Sequence, residues 1–383
     1  MVAGKLTIVQ LLPELDEGGV EGETLDLAVY LARNGYRSIV ISGGGRLVSE
    51  LEKAGCEHIN WPYIGEKSYR CLQYIMKLRQ LLLAERVDVL HMRSRLPAWI
   101  GYLSWKSIPK SERPVLVTTF HGFYSVNAYS GIMTKGERVV AVSETIKRHI
   151  LDNYKIDERK ISLIHGGFDA REFSPETVSP DRLLRLREKW LTASEGKPVI
   201  MLPGRITFWK GQDVLIESLA LLEENDFICL LVGDTEENPP FTQKLRDLVR
   251  LHGLEEKILF VGHCSDMPAA LLLADIVISA SSSQPEAFGK IAIEAMAMGK
   301  PVIATAHGGS LETVIPGKTG WLVPPLDPKS MSIAILDALS HQEKARKRGQ
   351  QGRVWVGEQF TAERMCEKSV ALYREAGKEK ERI

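Results

Sequence analysis

Cysteine is scarce and scattered. Cys56, Cys71, Cys229, Cys264 and Cys366 form no C-x-x-C pair and no local group with histidines. That spacing argues against a zinc knuckle or a disulfide frame and fits reduced thiols in a cytosol. Net charge is lacking too: 49 Lys and Arg offset 49 Asp and Glu, so no global basic excess argues for nucleic acid. Long apolar runs are missing. The longest, AALLLADIVISA, is short and carries Asp275, whereas a membrane helix needs ~20 apolar residues. The opening MVAGKLTIVQLL has no charged region, apolar stretch and small-residue cleavage site in the order of a signal peptide. The expected location is the cytoplasm, with at most peripheral contact at the inner face of a membrane. No repeat of solenoid length occurs.

What is present is an alternation. Short Val- and Ile-rich runs recur, each followed by a glycine or polar turn and a helical pattern. They are KLTIVQLL, RSIVISGG, VDVLHMRS, PVLVTTFHG, RVVAVSE and ISLIHGG, then PVIMLPGR, FICLLVGD, ILFVGH, DIVISAS, PVIATAHGG and GWLVPP. Runs apolar on both faces, alternating with amphipathic helices, predict parallel sheets covered on both sides. A chain of 383 residues is too long for one ordinary core and suits two such α/β domains. The polar, proline-bearing stretch GGFDAREFSPETVSPDRL is the expected linker. The division reads 1–175, 176–355, and a last helix over 356–383 whose Met365, Ser369, Leu372, Tyr373 and Ala376 share one face. Two doubly wound domains bind ligands beyond the carboxyl ends of their strands, so functional residues are expected in the loops that follow strands.

Four loops carry candidate chemistry. In GRITFWKGQ, Gly204 ends a strand and Arg205 and Lys210 precede a helix start. Arg holds phosphate oxygens bidentately, Lys adds a compact charge, and helix-start amides favour anions, so the loop suits a diphosphate. The alternative is two solvated surface cations. In SQPEAFGKIAIEAMAM, Phe288 and Gly289 open the helix that holds Glu294, while Glu286 precedes it. The two oxygens of Glu294 suit the adjacent hydroxyls of a ribose, and Glu286 can reach a hexose hydroxyl. The alternative is a capping Glu286 and a Glu294 paired with a core cation. In LLPELDEGGVEGE, Gly18 and Gly19 permit close approach of backbone to ligand, or merely form a turn. In VTTFHGFY, His121 follows a strand, where it reaches a sugar hydroxyl or simply packs.

Together these residues resemble the retaining glycosyltransferases of family 4, bacterial type, with the GT-B fold. The resemblance covers nearly the whole chain. It comprises the Gly18–Gly19 loop, His121, the GR-x4-K pattern of Gly204, Arg205 and Lys210, VGD at 232–234, and FVGH-x2-DMP at 260–268. Its most specific part is the E-x7-E pair Glu286 and Glu294, followed by GG-x2-E at Gly308, Gly309 and Glu312 and by G-x-TGWLVPP. The resemblance implies two Rossmann-like domains facing across a cleft, an N-terminal acceptor domain and a C-terminal donor domain, with the last helix crossing back to the first.

It further implies residue roles. Arg205 and Lys210 would hold the donor diphosphate and stabilise the departing nucleotide, Glu294 would bind ribose, and Glu286 the transferred sugar. Ala287, Phe288 and Gly289 would contact sugar or phosphate, Gly18 and Gly19 would approach the phosphates, and His121 would contact the sugar. His263 and Asp266 would border the base. Glu286, His121, Arg205 and Lys210 form the expected catalytic set.

The donor would be a UDP- or GDP-sugar. No D-x-D triplet occurs, so no cofactor or metal is expected, and closure of the domains is expected to complete the site. Two departures bear on donor identity: Gln284 with three serines before it, and Gly22 and Glu23 where relatives often carry a basic residue. Arg93 and Arg95, after the strand VDVLHM, are candidates to hold an anionic acceptor, with solvation as the alternative. The helix EKSYRCLQYIMKLRQLLLAER mixes basic and apolar faces, which fits either weak contact with an anionic membrane or packing on the sheet. A cell-envelope acceptor, such as a lipopolysaccharide core, is the expectation these clues give. The competing readings are a nucleotide-sugar 2-epimerase of the same architecture and a non-catalytic nucleotide-sugar binding protein.

Overall fold

The first sheet is built from seven short strands, all parallel. They are β1 (Thr7–Leu11), β2 (Arg37–Ser42), β3 (Glu57–Asn60), β4 (Val89–Met92), β5 (Val115–Phe120), β6 (Arg138–Ala141) and β7 (Ile161–Leu163), in the order β3-β2-β1-β4-β5-β6-β7. The computed structural model describes residues 5–16, 18–191, 196–222 and 225–381. β1, β4 and β5 are buried at nearly every position, as expected for strands covered on both faces. β3 was not anticipated, because EHIN has a single apolar residue and lies at the sheet edge, where half of its positions are exposed.

The second sheet has six parallel strands: β8 (Val199–Pro203), β9 (Ile228–Val232), β10 (Ile258–Gly262), β11 (Ile276–Ser279), β12 (Val302–Thr305) and β13 (Gly320–Val323). Their order is β10-β9-β8-β11-β12-β13. All six were legible as apolar runs. Ile200, Leu202, Leu215, Phe227, Leu231 and Ile278 are among the buried side chains of its core. In each sheet the order reverses once, between β1 and β4 in the first and between β8 and β11 in the second. At such a reversal the loops leave in opposite directions and open a crevice at the strand ends. Those reversals decide where the functional loops fall.

The chain separates into two units, one of residues to Gly167 plus those from Ala362 onward, the other Phe168–Thr361. The divisions therefore fall at 167/168 and 361/362, against the 175/176 and 355/356 read from the sequence. Most of the proline-bearing stretch belongs to the second unit, for identifiable reasons. The Phe168 amide donates to the Phe360 carbonyl at 3.0 Å, Phe173 is buried, and Arg353 reaches Glu176 at 2.6 Å. The helix Ala362–Glu381 packs in the first unit, where Met365, Leu372, Tyr373 and Ala376 join Ile8, Val89, Val115 and Val117. The Tyr373 hydroxyl meets His91 Nδ1 at 2.7 Å, while His91 Nε2 meets Thr119 Oγ1 at 2.6 Å. Buried polar groups thus fix where this helix sits. None of the helices among the described residues is long and apolar enough to cross a membrane.

Candidate functional site

In the second unit the loops after β8 and β11 meet across the strand-order reversal. Lys210 donates to Glu286 Oε1 at 2.6 Å, with side-chain exposures of 18% and 13%. Leu202, Ile278 and Ser279 at the strand ends line the hollow beside the pair. The Glu286 loop is held by close backbone packing. A Cβ on Gly308 would fall 2.2 Å from the Glu286 carbonyl oxygen, and one on Gly309 would fall 2.3 Å from that of Phe288. The GG of the GG-x2-E segment is therefore explained by packing: only glycine lets the two loops touch. The sequence alternative of a capping Glu286 does not describe this structure, since the carboxylate is taken by Lys210.

Gly289 caps the helix Lys290–Ala297 in the left-handed conformation, with φ +87° and no side-chain cap. Within its first turn the Ala292 amide donates to the Gly289 carbonyl at 3.1 Å. Glu294 lies in the next turn among buried Ala292, Ile293, Ala295 and Met296. Burial holds its carboxyl above the usual carboxylate range, opposed by Lys290 and Lys210 and reinforced by Glu172. No hydrogen-bond partner for it occurs among the described residues, so the core cation of the alternative reading is not bonded to it. Carboxylate oxygens lacking donors inside a unit suit hydroxyls supplied from outside.

Gly204 lies beside Lys210, since a Cβ there would stand 3.7 Å from its Cδ. Arg205 is displaced from the pair: it is exposed and faces Glu237 at 3.7 Å. An exposed pair of this kind is worth at most ~1 kcal/mol, so the guanidinium is not committed. Gly211 caps the helix Gln212–Ala220 in the left-handed conformation, again without a side-chain cap. His263 follows β10. Asp266, expected near the base, has both oxygens engaged by Arg182 at 2.6 and 2.8 Å and caps the helix Met267–Leu273. Ala287 lies partly exposed between Glu286 and the helix start.

In the first unit the groups converge on the reversal between β1 and β4. Gly18 and Gly19 open the helix Gly19–Arg33 without a side-chain cap. A Cβ on Gly18 would meet Glu21 Oε2 at 2.2 Å, whereas one on Gly19 would meet nothing within 4 Å. Glu21 thus folds over the helix start, and burial raises its pKa while its own backbone amide opposes the rise. Arg93 and Arg95 are not solvated surface cations. Arg93 is 3% exposed and donates to Gln10 Oε1 at 3.2 Å. Arg95 lies against the rings of Tyr124 and Tyr129 and reaches Ser130 at 3.4 Å. A cavity of about 340 Å³ lies at the strand ends nearby, lined by Glu14, Asp16, Glu66 and the backbone at 43–45. Among the described residues its lining is acidic, with Arg46 3.9 Å from Asp16 and neither Arg93 nor Arg95 lining it, so it suits an anionic group poorly.

Two residues of this cluster escaped the sequence reading. Glu23 was noted only as a departure, and Gln10 not at all. Both had a signal. Glu23 stands in register with Leu27 and Leu31 on the apolar stripe of its helix, and Gln10 is the one amide in the strand TIVQL. Each is buried, Glu23 at 7% and Gln10 at 0% exposure. A polar residue on an apolar face requires a partner, and the partners come from other loops.

Residues 186–355 match the family described as Glycosyl transferases group 1, and residues 17–172 match Glycosyltransferase Family 4. A solved glycosyltransferase from Rickettsia africae ESF-5 is 38% identical, with a TM-score of 0.89 over 97% of this chain and 98% of that one. Anabaena HepE in complex with UDP and glucose shares the fold, with a TM-score of 0.82 at 21% identity over 96% of this chain and 99% of its own. The N-acetyl-alpha-D-glucosaminyl L-malate synthase of Bacillus anthracis is 26% identical over 94% of each chain.

Proposed function

This chain belongs to the family 4 glycosyltransferases and has their two-domain GT-B fold, and from that premise we propose that it transfers a sugar from a nucleoside-diphosphate sugar to a hydroxyl-bearing acceptor, with retention at the sugar carbon and without a metal. One observation carries the donor reading. Lys210 and Glu286 form a 2.6 Å ion pair, and the Gly289 helix start and Glu294, which has no hydrogen-bond partner among the described residues, lie in the same unit. Anabaena HepE, of the same fold, is solved in complex with UDP-glucose, which supports a nucleotide sugar as donor.

In this reading Lys210 and the uncommitted Arg205 stabilise charge on the departing diphosphate. Preformed cations aimed at developing charge are usually the largest electrostatic contribution to such a transfer. Glu294 takes two ribose hydroxyls, and Glu286 takes a sugar hydroxyl as Lys210 turns to phosphate. In the first unit, His121 contacts a substrate hydroxyl, and the acid-lined cavity favours a neutral, hydroxyl-rich acceptor over an anionic one. The lipopolysaccharide assignment consequently loses the support that Arg93 and Arg95 gave it. A cytoplasmic location follows as part of the same proposal.

The test is a thermal-shift screen over UDP- and GDP-sugars, followed by turnover with the best stabiliser. A ligand at a hundredfold its Kd stabilises by about 2.7 kcal/mol. Full transfer in excess chelator, with an α-anomer formed from an α-linked donor, is the expected result. Strict dependence on manganese sinks the metal-independent part, and an inverted product sinks retention. A new sugar isomer formed without acceptor identifies an epimerase instead. Binding without any turnover identifies a sensor.

A further inference from the structure

The Glu23 carboxylate is the polar centre of the first unit. Its Oε2 lies 3.4 Å from His121 Nδ1 and 3.6 Å from Arg93 Nη2. The three side chains are 9%, 6% and 3% exposed. The cluster is tied into the sheet, because Arg93 donates to Gln10 Oε1 and Gln10 Nε2 donates to the Thr24 carbonyl at 3.1 Å. His121 Nε2, by contrast, is buried and has no hydrogen-bond partner among the described residues. One ring nitrogen faces a carboxylate; the other is left without a hydrogen bond among the described residues.

We propose that Glu23 is a positioning residue, accepting the Nδ1 proton of His121 so that Nε2 is presented to a substrate hydroxyl as a hydrogen-bond acceptor. The inference rests on the reading that His121 touches a substrate. Its chemistry follows from the two ring nitrogens. The bond made by one nitrogen sets which of them carries the proton, and a carboxylate can only accept. A neutral imidazole held this way has its lone pair on Nε2, and so accepts a hydrogen bond from a hydroxyl. No proton is transferred in this step. Burial lowers the pKa of His121, Glu23 opposes the shift, and Arg93 adds to it, which keeps the ring neutral at neutral pH. Other titratable groups facing the cluster include His91 from β4, Glu21 of the same helix, Tyr124 beyond β5, and Cys366 and Tyr373 of the last helix. Arg93 has a second function here, since it holds Glu23 as an anion and thus as an acceptor.

The intact chain, labelled with 15N-histidine, tests this by long-range proton–nitrogen NMR, with His121→Gln assigning the ring. The wild type should show a single neutral tautomer protonated at Nδ1. In Glu23→Gln the His121 midpoint should fall, and the acidic limb of the kcat/KM profile should move to lower pH with it. At neutral pH kcat/KM should drop on the order of tenfold to a hundredfold, the scale lost when a bond orienting an imidazole is removed. A wild-type ring protonated at Nε2 overturns the proposal, even where the Glu23→Gln protein fails to fold. An unmoved midpoint and limb in a folded Glu23→Gln overturn it as well. Full turnover by His121→Ala overturns it through the reading it rests on, and the tautomer and midpoint then show separately whether the Glu23–His121 pairing stands.

Discussion

The Lys210–Glu286 pair yields the sharpest prediction, because stability and activity should respond to it in opposite ways. The charges are 2.6 Å apart and mostly buried. At an effective dielectric near 20, unit charges ~4 Å apart attract by about 4 kcal/mol. Desolvation and side-chain ordering offset much of that, leaving a net coupling of about 1–3 kcal/mol. Lys210→Met strands a carboxylate and Glu286→Gln strands an ammonium. Each should lower the stability of the second unit by about 2 kcal/mol, or roughly 4–8 °C in the Tm of a unit this size.

The double variant strands neither charge. Its loss should fall short of the sum of the single losses by the coupling energy, read from urea midpoints at constant slope. Activity should not recover. If Lys210 answers charge that develops on the leaving diphosphate, Lys210→Met costs ~10²–10³ in kcat, and the double variant costs at least as much. Additivity of the stability losses within about 0.5 kcal/mol would mean the pair does not form in solution. A double variant regaining turnover would refute the role in leaving-group stabilisation.

Other positions respond in their own ways. Glu294→Gln should stabilise the ligand-free protein at neutral pH while abolishing donor-induced thermal stabilisation. Burial raises the folded-state pKa of Glu294 above its ordinary 4.5. Its linked stability is therefore present below that pH and lost as pH rises through the folded value, so the variant should flatten this part of the stability profile. An unchanged profile would show that Glu294 is not desolvated. Gly211→Ala should cost at least about 2 kcal/mol in urea unfolding. The residue has φ +74° and a Cβ would stand 1.9 Å from the Ala280 carbonyl oxygen, combining backbone strain with a clash; a change below 0.5 kcal/mol on the same urea scale refutes this. Tyr373→Phe leaves buried His91 Nδ1 without its 2.7 Å partner. It should cost about 1–3 kcal/mol and speed amide exchange along Ala362–Glu381, and unchanged exchange would show that the bond does not hold the helix.

How far the sequence revealed the site depended on the scale of the signal. Strands of the second sheet were legible because each is a run apolar on both faces. β3 was not, because an edge strand needs no such run. Lys210 and Glu286 were recognisable by residue type and by their place after strands. Their pairing was not, since it joins loops 76 residues apart through the geometry of the strand-order reversal. Asp266 illustrates the converse. It stands within a family pattern, yet its oxygens are taken by Arg182 and a helix cap, bonds that no local pattern announces.

The most informative residues were carboxylates interrupting apolar helical faces. Glu23 and Glu294 both do so, and sequence alone treats them alike, since each is costly to desolvate and requires partners. The fold separates them. Arg93 and His121 meet the first, so its charge belongs to the protein's own architecture and orients a neighbour. No donor among the described residues bonds to the second, although Lys290 and Lys210 lie near enough to oppose the effect of burial. A carboxylate desolvated by burial and left without hydrogen bonds among the described residues is half of an interaction. The chemistry of its missing half, adjacent hydroxyls, is what a ribose would supply.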